Sequence, residues 1–235
     1  MRRTRTLPLA LLTAAVGGSL LLTGCQAASP APDTSASAPS VTAPAGADGY
    51  GLVAGEGPIT VQLWTDLSCP YCAMLEADTG TVLADAVDAG EITLTIHPLN
   101  FVSEKHGDET DWSTRGANAL AAIADAGEAD RMPGLYALLQ EHQSLSDGSH
   151  PTDEDILDLI AEAGVTADVS DAVTTQRFGG WVDASNEHWL GTTIDGTTQV
   201  VSGVPILVVD GDVFEIAESG NGARLQQLLA AASAS

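Results

Sequence analysis

Hydrophobic and polar residues alternate along two short segments of the chain, and a helical pattern lies between them. The first segment predicts a strand over 59–66 and the second a strand over 92–96, because a period of two is typical of half-buried strands. The helix between them starts at Pro70, whose missing N–H is tolerated in a first helical turn, and ends at Gly90. The order strand, helix, strand predicts a βαβ unit with parallel strands.

The pattern over 111–192 is helical, with hydrophobic residues recurring every three or four positions. One of its segments starts at Thr152, a residue suited to cap a helix, and stops at Gly164. The last part of the chain predicts a strand over 205–209, a hairpin turn at Asp210-Gly211, an antiparallel strand over 213–216 and a final helix around Leu228. The layout is therefore βαβ, a helical block and ββα.

The N-terminus of the chain is a basic segment followed by an apolar run. Three arginines precede the run over 7–22, which is short for a membrane-spanning helix. This arrangement predicts a secretory signal peptide. The tetrapeptide Leu-Thr-Gly-Cys that ends at Cys25 resembles the lipobox of bacterial lipoproteins, which implies removal of 1–24 and lipidation of Cys25. An ordinary signal peptide with an incidental cysteine is the alternative.

Residues 25–50 follow the signal, and 20 of the 24 residues over 26–49 are Ala, Pro, Ser, Thr or Gly. Such a segment has little surface to bury, so we expect the lipidated Cys25 to be followed by a disordered linker. The linker would space a domain over 51–235, with its helical insert at about 108–195, away from the extracytoplasmic face of the cell membrane.

The composition limits the partners of this domain. The 235 residues are 44% hydrophobic, which is enough for a buried core, and carry 32 acidic against 8 basic residues. A net charge of −24 argues against nucleic acid as a partner, and the acidic surface is repelled by anionic lipid head groups. We therefore expect the lipid, not charge, to hold the protein at the membrane. Three cysteines are too few for a disulfide-stapled scaffold or a four-cysteine zinc site.

The sequence Cys69-Pro70-Tyr71-Cys72 lies where the first strand meets the first helix. There the free N–H groups and the helix dipole favour a thiolate, so the pKa of Cys69 should fall and make it an accessible nucleophile. Cys72, one turn further, should be shielded and resolve mixed disulfides. A purely structural disulfide and a metal site are the alternatives, but the nearest histidines, His97 and His106, lack ligand spacing to the pair. We expect no metal and no cofactor.

A Cys-x-x-Cys opening the first helix, a helical insert and Gly203-Val204-Pro205 before a later strand resemble the DsbA-like branch of the thioredoxin fold. The resemblance covers about 58–235 and implies an α/β thioredoxin fold with an all-helical insertion between its βαβ and ββα halves. It also implies a cis Pro205 opposite the active site, with the backbone of Val204 facing the disulfide. A substrate segment would then pair there as a temporary strand, in contact with Pro70, Tyr71, Val204 and Pro205.

Two positions depart from the family pattern. Pro70-Tyr71 stands where the strongest oxidants of the family have Pro-His, which implies that the reduced form is less favoured here. Leu63 stands where thioredoxins and those oxidants have a buried acid. Asp66 is the nearest carboxylate in sequence; it either takes the Cys72 proton or caps a turn, and we favour the cap.

These features predict a membrane-anchored thiol–disulfide oxidoreductase that acts outside the cytoplasm, most simply as an oxidase, because disulfides persist in that compartment. Its partners would be exported cysteine-containing client proteins and an unidentified membrane redox protein. We expect a monomer, since the linker offers no dimerisation domain. A reductase or isomerase of the same fold, and a non-catalytic binding lipoprotein, are the alternatives.

Overall fold

The computed structural model describes residues 41–143 and 149–234, which contain a mixed six-stranded sheet and eight α-helices. The strands are β1 (Ala47–Asp48), β2 (Gly51–Ala54), β3 (Ile59–Asp66), β4 (Ile92–Leu99), β5 (Ile206–Val209) and β6 (Asp212–Val213). The helices are α1 (Pro70–Asp88), α2 (Phe101–His106), α3 (Trp112–Asp125), α4 (Met132–Glu141), α5 (Asp153–Glu162), α6 (Ser170–Thr174), α7 (Gly179–Trp189) and α8 (Asn221–Ala232). None of the helices in these ranges is long and apolar enough to cross a membrane.

The centre of the sheet is the pair β3 and β4, which run parallel and are joined by α1, so the predicted βαβ unit is confirmed. The sheet order is β1-β2-β4-β3-β5-β6, and β5 pairs antiparallel with β3. Successive residues of a strand point to opposite faces. Leu63 therefore packs in the core that contains α1, whereas Trp64 packs in a second core with Ile206.

The helical insert occupies the chain between β4 and β5, as predicted, but it begins at Phe101 rather than at about 108. Helix α2 has six residues and ends at Gly107, where φ is 69°, so it is too short to show a helical period in the sequence. Helix α5 begins at the predicted cap, where Thr152 and Asp155 form a reciprocal capping box. After α7 the chain turns through a bridge between Thr193 and Val200, so the insert's last predicted residues are not helical.

The predicted signal peptide, Cys25 and most of the predicted linker lie outside the described residues. The end of that linker is predicted too late, because Ala47–Asp48 already forms β1 and pairs with β2. Strand β2, also missed by the sequence pattern, is held by tertiary contacts: it pairs with β4, and a Cβ at Gly51 would collide with the side chain of Thr95. Pairing with β4 thus imposes a strand on a segment with weak local preference.

The predicted order of strand, strand and helix at the end of the chain is present, but the last strand is shorter than predicted. Strand β6 covers only Asp212–Val213, and the Phe214 N–H donates to the carbonyl of Leu207 at 2.8 Å before the chain leaves the sheet. After β6 the chain passes the start of α1 and then enters α8. Asn221 fixes that end, because its N–H and its side-chain amide both donate to Asp78 of α1.

Candidate active site at the start of helix α1

The Cys-x-x-Cys segment forms the first turn of α1. Cys69 is the residue before the helix, in extended backbone conformation, and Pro70 takes a position where no N–H is needed. The N–H of Cys72 donates to the carbonyl of Cys69 at 3.0 Å, and the N–H of Cys69 donates to the carbonyl of Asp66 at 3.1 Å. The junction of β3 and α1 therefore places both sulfur atoms at the N-terminal end of the helix.

The two thiols have opposite acidities. A hydrogen bond from the Cys72 thiol is the main reason why the pKa of Cys69 falls to about 7, and the N–H groups of Tyr71 and Cys72 lower it further. Burial and the charge of Asp66 oppose this shift, because both disfavour an anion. Burial raises the pKa of the Cys72 thiol well above its ordinary value. Near neutral pH, Cys69 is thus the residue that ionises and Cys72 keeps its proton.

Cys69 is less exposed than the sequence predicts. Both cysteines are free thiols, and Cys69 is 5% exposed while Cys72 is 0% exposed. The reason is a small hydrophobic cluster in which Phe101, Val102 and Val204 pack around the pair. Only a small part of Cys69 is therefore open to a reacting partner.

The Val204–Pro205 bond is cis, as the resemblance implies. The Cys69 Sγ donates to the Val204 carbonyl oxygen at 3.6 Å, so the backbone before the proline faces the nucleophile. Beside it lies an apolar groove of about 610 Å³, which includes Tyr71, Val204 and Pro205. Tyr71 is 70% exposed there. Pro70 is exposed at the helix start and does not line the groove.

Asp66 is fully buried and links three elements near the pair. Its carboxylate accepts from the Ser68 N–H at 2.9 Å, which is the turn cap predicted from the sequence. It also accepts from the Val102 N–H at 2.9 Å and from the Ser113 hydroxyl at 2.5 Å. Burial raises the pKa of Asp66 to about 6, although these hydrogen bonds favour the carboxylate. Asp66 is therefore a structural tie between β3 and the insert as well as a cap.

The sequence analysis missed a polar network that connects α4 to both cysteines. The Thr65 side chain counteracts part of the rise in the pKa of Cys72, and the Thr65 hydroxyl lies 2.5 Å from the Tyr136 hydroxyl. Gln140 donates to the Tyr136 hydroxyl at 2.8 Å, and Gln143 donates to the Cys69 carbonyl at 3.0 Å. Tyr136 and Gln140 are four apart on α4, so this helical spacing of two polar residues was the only local signal for the network.

A second missed residue is Glu76, one helical turn after Cys72. It is 7% exposed, and burial alone raises its pKa to about 8. Its carboxyl group forms no hydrogen bond or ion pair with any residue in the described ranges. It is therefore a buried acid that retains its proton at neutral pH.

The histidines weighed as metal ligands do not join the cysteines in a group of ligands among the described residues. Within 41–143 and 149–234, no group of three or more His, Cys, Asp or Glu side chains is placed to hold a metal ion. His97, one of the two histidines weighed as ligands, is stacked on Trp64 with 4.4 Å between ring centroids. It therefore belongs to the opposite face of the sheet from α1.

Comparisons with known proteins agree with this geometry. A family model described as Thioredoxin matches residues 51–229. The reduced disulfide oxidoreductase DsbG of Mycobacterium tuberculosis has a similar structure, with a TM-score of 0.62 and 18% identity over 81% of this chain and 90% of that chain. The thiol-disulfide oxidoreductase MdbA of Corynebacterium diphtheriae has a TM-score of 0.58 and 23% identity over 80% of this chain and 94% of that chain. None of the curated proteins matches the chain.

Proposed function

Because the chain belongs to the Thioredoxin family, we propose that it is a thiol–disulfide oxidoreductase that acts through Cys69 and Cys72. The predicted DsbA-like thioredoxin fold with a helical insertion is confirmed. The observation that carries the proposal is the difference in acidity between the two thiols, with the more acidic Cys69 facing the carbonyl of Val204.

In the oxidising direction, a substrate thiolate attacks the Cys69 sulfur of the oxidised pair, and Cys72 leaves with the bonding electron pair. A second thiolate of the substrate then attacks the substrate sulfur of this mixed disulfide and displaces Cys69. The substrate loses two electrons and the cysteine pair gains them. The lowered pKa of Cys69 supports this order, because a more acidic thiol is the better leaving group in the second step.

The covered position of Cys69 favours an extended substrate segment over a folded surface. Such a segment can lie along the groove beside Tyr71 and Pro205 and reach Cys69. The Val204 carbonyl is available to pair with its backbone once Cys69 has reacted and no longer donates to it. We assign substrate contact to Tyr71, Val204 and Pro205, and to Pro70 at the rim.

We further propose that Cys25 carries a lipid that anchors the enzyme to the extracytoplasmic face of the membrane. Its clients would be exported proteins with cysteines, and a membrane redox protein would reoxidise the pair. Reduction is the second candidate direction, and one observation favours it. The pKa of Cys69 falls to about 7, which is the value typical of thioredoxin rather than that of DsbA, roughly 3.5.

The test mixes the oxidised protein with a reduced, unfolded two-cysteine substrate and follows disulfide transfer by alkylation and mass spectrometry. We expect transfer by the wild type and by Cys25→Ser, and none by Cys69→Ser. Cys72→Ser should accumulate mixed disulfides with clients, whereas a binding protein would trap nothing. Equal behaviour of Cys69→Ser and the wild type would contradict the proposal.

Two further measurements test the lipid anchor and the direction of electron flow. Cell fractionation should find the wild type with the membrane and Cys25→Ser in the soluble fraction. The reduction potential of the pair separates the directions: a value near −120 mV, roughly that of DsbA, favours oxidation, and one near −270 mV, roughly that of thioredoxin, favours reduction.

A further inference from the structure

The apolar groove beside the cysteines follows one face of α1. Tyr71, Met74 and Asp78 recur at i, i+3 and i+7, so they lie along one side of the helix. Tyr71 and Met74 are exposed and line the groove, whose volume is about 610 Å³. From Cys69 to Asp78 the helix rises by about 13 Å, at about 1.5 Å per residue. An extended client segment covers that length with about four residues.

The opposite wall of the groove is the segment 216–218, which follows β6. Its middle residue, Ala217, is fixed at both backbone groups: the N–H donates to the Asn221 Oδ1 at 2.8 Å, and the carbonyl accepts from the Asn221 Nδ2 at 2.9 Å. The N–H of Asn221 in turn donates to Asp78 of α1 at 2.7 Å. The wall is therefore anchored near Asp78, two helical turns beyond the cysteines.

This anchored wall carries one carboxylate. Glu218 is the one charged residue among the described residues that line the groove, and its side chain is exposed. Its carboxylate forms no ion pair with any residue in the described ranges. A negative charge that the protein does not neutralise thus borders an otherwise uncharged groove.

The basic residue of α8, Arg224, is bound to other groups. Its guanidinium donates to the carbonyl of Glu215 and to the Asn221 Oδ1, the latter at 3.3 Å. It also lies over the ring of Phe214, 4.8 Å from the ring centroid, where a cation is attracted to the aromatic face. Arg224 therefore stabilises the wall from behind, and a positive charge that pairs with Glu218 has to come from a bound client.

We propose that Glu218 makes the enzyme prefer clients that carry a lysine or arginine about four residues from the reactive cysteine. The inference rests on the proposed function, because it names the class of client segment that the groove takes. Apolar residues of the segment contact Tyr71, Met74 and Ile216. The aliphatic stem of the basic side chain lies over the same apolar surface, and its charged end pairs with Glu218.

The size of the preference is set by the exposure of Glu218. Ion pairs in contact with water are weak, so a single pair changes a rate by a few-fold and ranks clients without excluding any. The net charge of −24 also attracts basic peptides, but that attraction acts at long range and does not depend on one position. A preference that depends on the side chain at 218 therefore separates the groove from the overall charge.

The experiment uses three synthetic peptides with a single reduced cysteine and an apolar neighbour. They carry Lys, Gln or Glu at the fourth residue on both sides of the cysteine, so that either chain direction brings the charge to Glu218. The initial rate at which each peptide thiolate opens the oxidised pair of the full-length protein is measured by acid quench and mass spectrometry. Each rate is divided by that of 2-mercaptoethanol, a neutral thiol too small to fill the groove, so that differences in the reactivity of the pair cancel.

With the wild type, the Lys peptide should react about 5-fold faster than the Gln peptide, and the Glu peptide more slowly by a similar factor. Both differences should shrink in 1 M salt, on the order of a 3 Å screening length. Glu218→Gln should lose most of the preference, and Glu218→Lys should reverse it. Glu215→Lys is the matched control, because it makes the same change of charge at an exposed residue that does not line the groove, and it should keep the wild-type order.

Equal changes of preference in Glu215→Lys and Glu218→Lys would show that net charge alone ranks the peptides and would overturn the inference. So would an undiminished preference for the Lys peptide in Glu218→Gln, since another group would then recognise the lysine. Both outcomes leave disulfide exchange itself in place. If none of the peptides formed a mixed disulfide with Cys69, the proposed function would fail, and the inference with it.

Discussion

The two faces of the central sheet each bury a titratable group, with different results. On the face of α1, the carboxyl group of Glu76 lies against Gly80 and forms no hydrogen bond or ion pair with any residue that the structure describes. On the other face, His97 is enclosed by an aromatic cluster of Tyr50, Trp64, His188 and Trp189. Its ring nitrogens lie 3.3 Å from the Tyr50 carbonyl and 3.1 Å from the Gln62 side chain. Burial lowers the pKa of His97 to about 4, so this group also stays neutral.

The difference lies in how each buried group is compensated. Burial penalises the charged form in both places, raising the pKa of the acid and lowering that of the imidazole. His97 has hydrogen-bond partners and a stacked ring, so it holds β4 against α7 in one arrangement. Glu76 has neither among the described residues, so burial alone determines its charge state.

The largest expected effect is that of Glu76→Gln on stability at alkaline pH. The folded pKa is about 8 and the ordinary value is 4.5, so across that interval the folded protein holds a proton that the unfolded chain has lost. The wild type should therefore lose stability as pH rises through this interval, by on the order of 4 kcal/mol. Glu76→Gln should abolish that loss, as measured by urea unfolding at about pH 5 and about pH 8.5.

Glu141→Gln is the control, because it makes the same change at an exposed position of α4 and should keep the wild-type decline. An equally steep decline in Glu76→Gln would mean that Glu76 is ionised in the folded protein. The contrast with His97 would then be lost.

A smaller effect of opposite sign is expected on the other face. The pKa of His97 is about 4 in the folded protein against an ordinary 6.5, so the unfolded chain binds the extra proton between these values. The free energy of unfolding should be highest above pH 6.5 and should fall by about 3 kcal/mol as the pH decreases toward 4. Glutamine cannot take up this proton, so His97→Gln should remove the loss of stability at acid pH. Thermal unfolding followed by circular dichroism measures it. The exposed His106 serves as the control. If His106→Gln, and not His97→Gln, removed the loss of stability at acid pH, the effect could not be assigned to His97.

The smallest effect is that of Gly80→Ala, which tests the space beside Glu76. A glycine in a helix interior costs about 1 kcal/mol relative to alanine, so the change would ordinarily stabilise the protein. Here the new Cβ collides with the carboxyl group, which has to shift, so the gain should be smaller than at an open position. It should return in a Glu76→Ala background, as a double-mutant cycle in urea would show. Gly134→Ala in α4 is the control, since its Cβ would meet nothing within 4 Å; a full gain from Gly80→Ala alone would contradict the contact.

Much of this architecture could be predicted from the sequence, because local patterns determine it. The alternation over 59–66 and 92–96 and the Pro70 helix start are local signals, and the structure contains the corresponding elements. Strand β2 has no such signal, because its conformation is imposed by pairing with β4.

The buried acid was missed for a different reason. Hydrophobicity does not mark the buried face of α1 at this point, because Met74 is 59% exposed whereas Glu76 is buried. Counting helical spacing from Cys72 rather than from the hydrophobic residues leads to Glu76. The contact of Gln143 with the Cys69 carbonyl joins residues far apart in the chain, so no local pattern could announce it.

That contact from the end of α4 has a consequence for how the enzyme can be altered. The insert is not a detachable module, because the side-chain amide of Gln143, just after α4, donates to the carbonyl of the nucleophile Cys69. Trimming the chain to a minimal redox domain, or grafting the insert of another protein, would change the reactive centre even where every residue of the Cys-Pro-Tyr-Cys segment is kept. Divergence within the insert is therefore a means by which such enzymes can acquire different redox behaviour around an unchanged motif.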